Sequence, residues 1–248
     1  MIPRRRAIFG ALATLLTAST SRAQDDDWQR ALKDAIDNKN PVTLGHILPP
    51  PDDKSWKEAH AILSAAPSKA TPFEVARYFV TSVPAKYQQA WPEPDPQHPT
   101  FANPLIVLLF LATKTTPCGD VTAWCSAFVN WCLTRVGVVG TANANSQSFV
   151  EKNWGQEVWS RTAASEMPTS AVTGDIAIFQ DLSKPTQGHV CFFSKISNKQ
   201  PKSIEVLGGN QIIKLGKDKI HLIDVTALRT DGNLQLRSIR TRKGLRRV

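Results

Sequence analysis

Long apolar runs are missing from this chain. The longest unbroken apolar run, Leu105 to Ala112, is eight residues, well short of the ~20 that cross a bilayer. Cysteine is scarce too. Four residues, at 118, 125, 132 and 191, in a chain of 248 are too few for a disulfide-built scaffold. No Cys-x-x-Cys pair is present, which removes the usual zinc-site spacing. No internal repeat, coiled-coil pattern or collagen-like composition occurs. The net charge is +9, but no nucleic-acid-binding motif accompanies it, so no nucleic-acid partner is expected.

The N-terminus reads as a targeting segment. Arg4-Arg5-Arg6 precedes the mostly apolar run Ala7 to Ala18, and Ser21-Arg22-Ala23 supplies a small-x-small cleavage site. This is the pattern of a signal peptide over 1–23, too short in its apolar part to remain as a span. The adjacent arginines before Ile8-Phe9 also suit a twin-arginine signal. Removing four arginines with this segment leaves a net charge near +5. Much of that excess lies at Arg237, Arg240, Arg242, Lys243, Arg246 and Arg247. The end, 229–248, is expected to be a solvated basic tail, of a kind that also suits a polyanion.

Between these ends the chain changes character. Residues 24–99 read as helices joined by Pro-rich turns. Asp27 to Ile36 and Ser55 to Leu63 have helical spacing. Thr71-Pro72-Phe73-Glu74 is a capping box with proline at the first helical position. The Pro-rich run Pro92 to Pro99 is a linker or long loop. Asn103-Pro104 opens the apolar helix Leu105 to Ala112. A further helix is expected from about Thr122 to Val136, stopped by Gly137. After Pro168 short strands follow: Ile176 to Phe179, His189 to Ser194, Ile204 to Leu207 and Ile220 to Val225. Helices first and strands later imply an α+β fold, with the helix packed on a small antiparallel sheet.

The chemistry centres on Cys125. It sits near the start of a helix, where unpaired N–H groups and the positive end of the dipole favour a thiolate. Those N–H groups also suit an oxyanion. The thiol needs a base, and the base needs a polar orienter. Of five histidines, His189 stands on a core strand directly after Gly188. It should share a strand face with Cys191, leaving Val190 on the other. Asn210, after Gly208-Gly209, is the leading orienter, with Glu205 and Asp224 as rivals. Trp124, Trp131, Trp154 and Trp159 could line a glycan groove; Trp124, beside the nucleophile, is the leading candidate for a substrate wall, while core or rim packing is favoured for Trp131. Asp175 is assigned to turn formation before a strand.

The runs Trp124-Cys125-Ser-Ala-Phe-Val-Asn-Trp, Gly174-Asp175-Ile-Ala-Ile-Phe, Gly188-His189-Val190 and Leu207-Gly208-Gly209-Asn210 together resemble the CHAP and NlpC-type papain-like amidases. The resemblance covers roughly Asn103 to Val225. It implies a papain-like catalytic domain over 100–228, preceded by the helical region 24–99. It implies cleavage of an amide or peptide bond of bacterial peptidoglycan, in the periplasm or outside the cell, without metal or cofactor. Carried over by position, it makes Cys125 the nucleophile, His189 the base and Asn210 the orienter. One position departs: CHAP domains often carry glutamate where Gly208 stands. Two other readings remain open, a non-catalytic wall-binding module of the same fold and a cysteine protease or acyltransferase with a non-wall substrate.

Overall fold

The computed structural model describes residues 48–49, 52–91, 101–115, 117, 119–162 and 167–246. The signal segment, the expected helix Asp27 to Ile36, the run Pro92 to Pro99, and Cys118 lie outside the described residues. Among the described residues, helices α1 (Lys54–Ala65), α2 (Pro72–Thr81), α3 (Ala85–Gln88), α4 (Pro104–Leu109), α5 (Cys125–Arg135) and α6 (Ser148–Glu151) precede six strands. These are β1 (Gln156–Ser160), β2 (Ile176–Asp181), β3 (Gly188–Ile196), β4 (Ser203–Leu215), β5 (Asp218–Arg229) and β6 (Leu234–Thr241). They form one antiparallel sheet in the order β1-β6-β2-β3-β4-β5. The α+β class with helices on a small antiparallel sheet is therefore as expected. No helix among the described residues is long and apolar enough to cross a membrane.

Local chemistry sets several of these boundaries. Glu74 N–H donates to the Thr71 hydroxyl while the Glu74 carboxylate accepts from Thr71 N–H, so the capping box of α2 is complete. Asn103 Oδ1 accepts from Leu105 N–H at 2.9 Å, and Pro104 opens α4 where no N–H is needed. At the far end of α5, Val138 N–H reaches Leu133 C=O and Gly137 N–H reaches Thr134 C=O. That double bond closes the helix only through a left-handed residue, and Gly137 takes φ 77°.

The N-terminal helices are not an appendage. Trp56, Val75, Phe79 and Tyr87 join Leu105, Phe128, Val190, Phe192 and Leu207 in one buried cluster. Phe79 meets Phe128 and Trp131 edge-on, each with centroids 5.4 Å apart. Such pairs contribute about 0.5–1.5 kcal/mol beyond their buried area. Arg135, in the last turn of α5, donates to the carbonyls of Ser64 and Ala66 at the end of α1. Asp120 Oδ2 accepts from both Trp91 N–H and Asn103 N–H at 2.8 Å, tying the N-terminal region to the turn that leads into α5. Residues 54–91 and the sheet thus share one core.

The C-terminal segment departs from the expected solvated tail. Residues 234–241 form β6, inserted between β1 and β2. Arg240 is buried, its guanidinium bonded to Asn153 Oδ1, Trp154 C=O and Glu157. Beyond the strand, Arg246 Nη2 spans both oxygens of fully buried Asp175 at 2.8 and 2.9 Å. Arg237 and Arg242 likewise bond inside the protein, to Gln147 Oε1 and Val139 C=O. The strand escapes notice in the sequence because Arg237 and Arg240 follow its buried Leu236 and Ile239 directly. A second cluster fills the sheet's other face: Ala177, Phe179, Cys191, Phe193, Ile204, Val206, Leu236 and Ile239.

Candidate active site

Cys125 is the first residue of α5, with Trp124 as its N-cap, about three residues nearer the helix start than expected. It is 2% exposed. Burial raises its thiol pKa above the ordinary value, while backbone N–H groups of Val190, Ser126 and Cys125 itself pull it down. The sulfur therefore lies at the amide that follows His189. Cys132 and Cys191 are also buried free thiols, raised well above the ordinary value by burial.

His189 follows Gly188 at the start of β3. A Cβ at Gly188 would overlap Phe179 C=O and come 2.5 Å from Gln147 Nε2, so glycine lets β2, β3 and the loop before α6 close together here. His189 shares its strand face with Cys191, and Val190 points into the helix-side core, as the alternation predicts. Burial pushes the imidazole down to about 4, opposed in part by the polar Gln211 side chain beside it. Among the described residues no hydrogen bond joins His189 to Cys125, and His189 Nε2 is buried without a partner.

Gly208 and Gly209 clear the space around Trp124 and His189. A Cβ on Gly209 would overlap the Trp124 ring and stand 2.8 Å from Phe128 Cβ, on the α5 side. A Cβ on Gly208 would stand 2.8 Å from Cys191 Cβ and 3.5 Å from His189 Nε2, on the imidazole side. One glycine admits α5 and the other admits the His189 imidazole.

Three expected assignments change. Asn210 does not face His189. The pairing of β4 with β5 slips between Gly208 and Gln211, and Asn210 takes φ 59° at that bulge. Its Oδ1 lies 2.7 Å from His221 Nδ1 on β5. Trp124 is fully buried and offers no ring face to a substrate; its place against Gly209 is a packing role. The rivals are also occupied elsewhere. Glu205 pairs with Lys195 Nζ at 3.3 Å, and Asp224 Oδ1 accepts from Val225 N–H. Beside His189 stands Gln211, 3% exposed, which the sequence analysis missed. A signal was present: Gly-Gly-Asn inside a strand marks a bulge, and a bulge passes the next inward position to the following residue.

The loop ahead of α6 is braced from α5. Asn130, fully buried, accepts from Thr141 and Ala142 N–H through Oδ1 and donates to Ser126 and Asn143 C=O through Nδ2. Farther along, Gln147 Nε2 donates to Phe179 C=O, opposite His189 in the β2–β3 pairing. Among the described residues no three His, Cys, Asp or Glu side chains cluster as metal ligands.

A thiol at a helix start, against a histidine strand of an antiparallel sheet, is the arrangement of the papain-like α+β class. Residues 117–210 match the family model of the CHAP domain. CHAP domains are in general hydrolases acting on peptidoglycan. No curated protein and no solved structure matches the chain.

Proposed function

We propose that this chain is an exported cysteine hydrolase that cuts an amide or peptide bond of peptidoglycan, with Cys125 as nucleophile and His189 as base. The observation that carries the reading is the position of the Cys125 sulfur. It lies at the first turn of α5 and at the amide next to His189, within the CHAP segment.

Burial keeps the resting thiol protonated and the resting imidazole neutral. The proton passes from Sγ to the imidazole as the sulfur attacks the substrate carbonyl. The N–H groups of Cys125 and Ser126 at the helix start suit the oxyanion of the tetrahedral intermediate. The imidazolium then protonates the leaving amine, the C–N bond breaks, and a thioester remains on Cys125. The neutral imidazole takes a proton from water, hydroxide attacks the thioester, and the free carboxylic acid leaves with the thiol restored.

The near-complete burial of Cys125 favours one second reading, a wall-binding module that keeps the fold without turnover. Mass spectrometry of purified peptidoglycan incubated with the chain and with Cys125→Ala separates the two. New fragments from wild type alone support the hydrolase, and their masses name the bond. Absence of fragments with both proteins, while both sediment with the wall, supports the binding module.

A further inference from the structure

We propose that Gln211, not Asn210, is the positioning residue that fixes the His189 imidazole; this rests on the assignment of Cys125 and His189 as the reacting pair. The two side chains are buried together, at 3% and 7% exposure. Each carries a buried polar atom without a partner, Gln211 Nε2 and His189 Nε2. The two atoms converge on one point: they lie 3.0 and 3.5 Å from the place a Cβ of Gly208 would occupy. A buried polar atom left unbonded costs about 1–3 kcal/mol, so two of them beside one glycine point to a contact that forms.

A carboxamide supplies that contact in either sense. A half-turn about the last side-chain bond exchanges oxygen and nitrogen without moving the chain. With Oε1 toward the ring, Gln211 accepts from His189 Nε2–H. That selects the tautomer whose Nδ1 carries the lone pair and leaves Nδ1 for the thiol proton. Being neutral, the amide orients the ring without the charge that a carboxylate would add, in keeping with the low pKa of His189.

The backbone explains why the role falls to position 211. Two residues of β4, Gly209 and Asn210, oppose one residue of β5. The left-handed turn at Asn210 sends its side chain to His221 and returns Gln211 to the imidazole face. Gly208 contributes by absence, since any side chain there meets the Gln211 carboxamide.

The test compares Gln211→Ala, Gln211→Met, Gln211→Glu and Asn210→Gly in the full chain. Circular dichroism confirms folding, and the methionine variant keeps volume where alanine fails to fold. Nitrogen NMR of the imidazoles reads tautomer and pKa without any substrate. Loss of the Nδ1-lone-pair tautomer of His189 is expected in Gln211→Ala and Gln211→Met, and a pKa raised by about one unit or more in Gln211→Glu. The His221 signals, not those of His189, should respond to Asn210→Gly. On peptidoglycan fragments, Gln211→Ala should lower kcat on the order of a hundredfold with little change in KM, and Gln211→Glu should recover part of it with its acid limb moved to higher pH. Unchanged His189 signals in every Gln211 variant overturn the proposal, as does the Gln211→Ala loss appearing in Asn210→Gly instead. If the wild-type chain cleaves no peptidoglycan, the functional reading falls, while the imidazole spectra still decide the role of Gln211.

Discussion

The indole of Trp124 lies directly against the α-carbon of Gly209, with ring carbon Cε3 2.7 Å from where a Cβ would sit. Trp124 is also the N-cap of α5, so this contact sets how closely Cys125 approaches the sheet. Gly209→Ala should push the ring and the helix start away from β4. A stability loss of about 1–3 kcal/mol is expected, the usual range for overpacking. Urea unfolding measures it. A variant that keeps wild-type stability and wild-type hydrolysis would show that the contact relaxes freely.

His189 makes stability depend on pH in a defined direction. Its folded pKa is about 4, below the unfolded value of roughly 6.5. Between these values the unfolded chain takes up a proton that the folded chain refuses. Stability is therefore complete above about pH 6.5 and falls as pH drops towards 4, by about 3 kcal/mol in all. His189→Gln should flatten the urea midpoint across this window. The lowered carboxylates of Asp53, Asp181 and Asp231 act only below about pH 4. The raised thiols of Cys125, Cys132 and Cys191 act at the opposite end, where stability falls as pH rises above about 9.

Asn130 satisfies two loop amides and two carbonyls from inside the protein. Asn130→Ala leaves those amides buried without acceptors, and a loss of about 2–4 kcal/mol is expected. Amide exchange should accelerate first at Thr141 and Ala142. The braced loop reaches the His189 strand through Gln147, so hydrolysis should fall in the same variant. Normal exchange at both amides would refute the bracing role.

Arg246 and Asp175 join the end of the chain to the start of β2. Arg246→Met leaves the buried Asp175 carboxylate with the Val172 N–H as its bond. The guanidinium is 43% exposed, so the loss is set at about 1–2 kcal/mol rather than the full cost of a buried pair. Adding Asp175→Asn should return part of it. Calorimetry of the two single variants and the double variant yields the coupling.

What the sequence disclosed was local. The capping box at Thr71, the cap at Asn103 and the stop at Gly137 each need only a few neighbouring residues, and each stands where expected. The alternation of His189, Val190 and Cys191 needed only the strand period. What stayed hidden depends on partners far away in the chain. Gln211 reaches the imidazole because β4 slips against β5, and a single-strand pattern carries no register. Trp124 is buried because Gly209 makes room for it from another element. Arg240 looks solvated until Glu157 and Asn153 are placed beside it.

The strand order has a consequence for how the molecule comes into being. β6 is the last strand in sequence, yet it lies inside the sheet, bonded to β1 and β2. Residues 234–241 must be made before β1 acquires a neighbour, and Arg246 before Asp175 acquires its arginine. Until then the chain carries thiol and imidazole on an unfinished scaffold. Without residues 234–241, β1 has no strand to pair with and β2 loses one of its two neighbours.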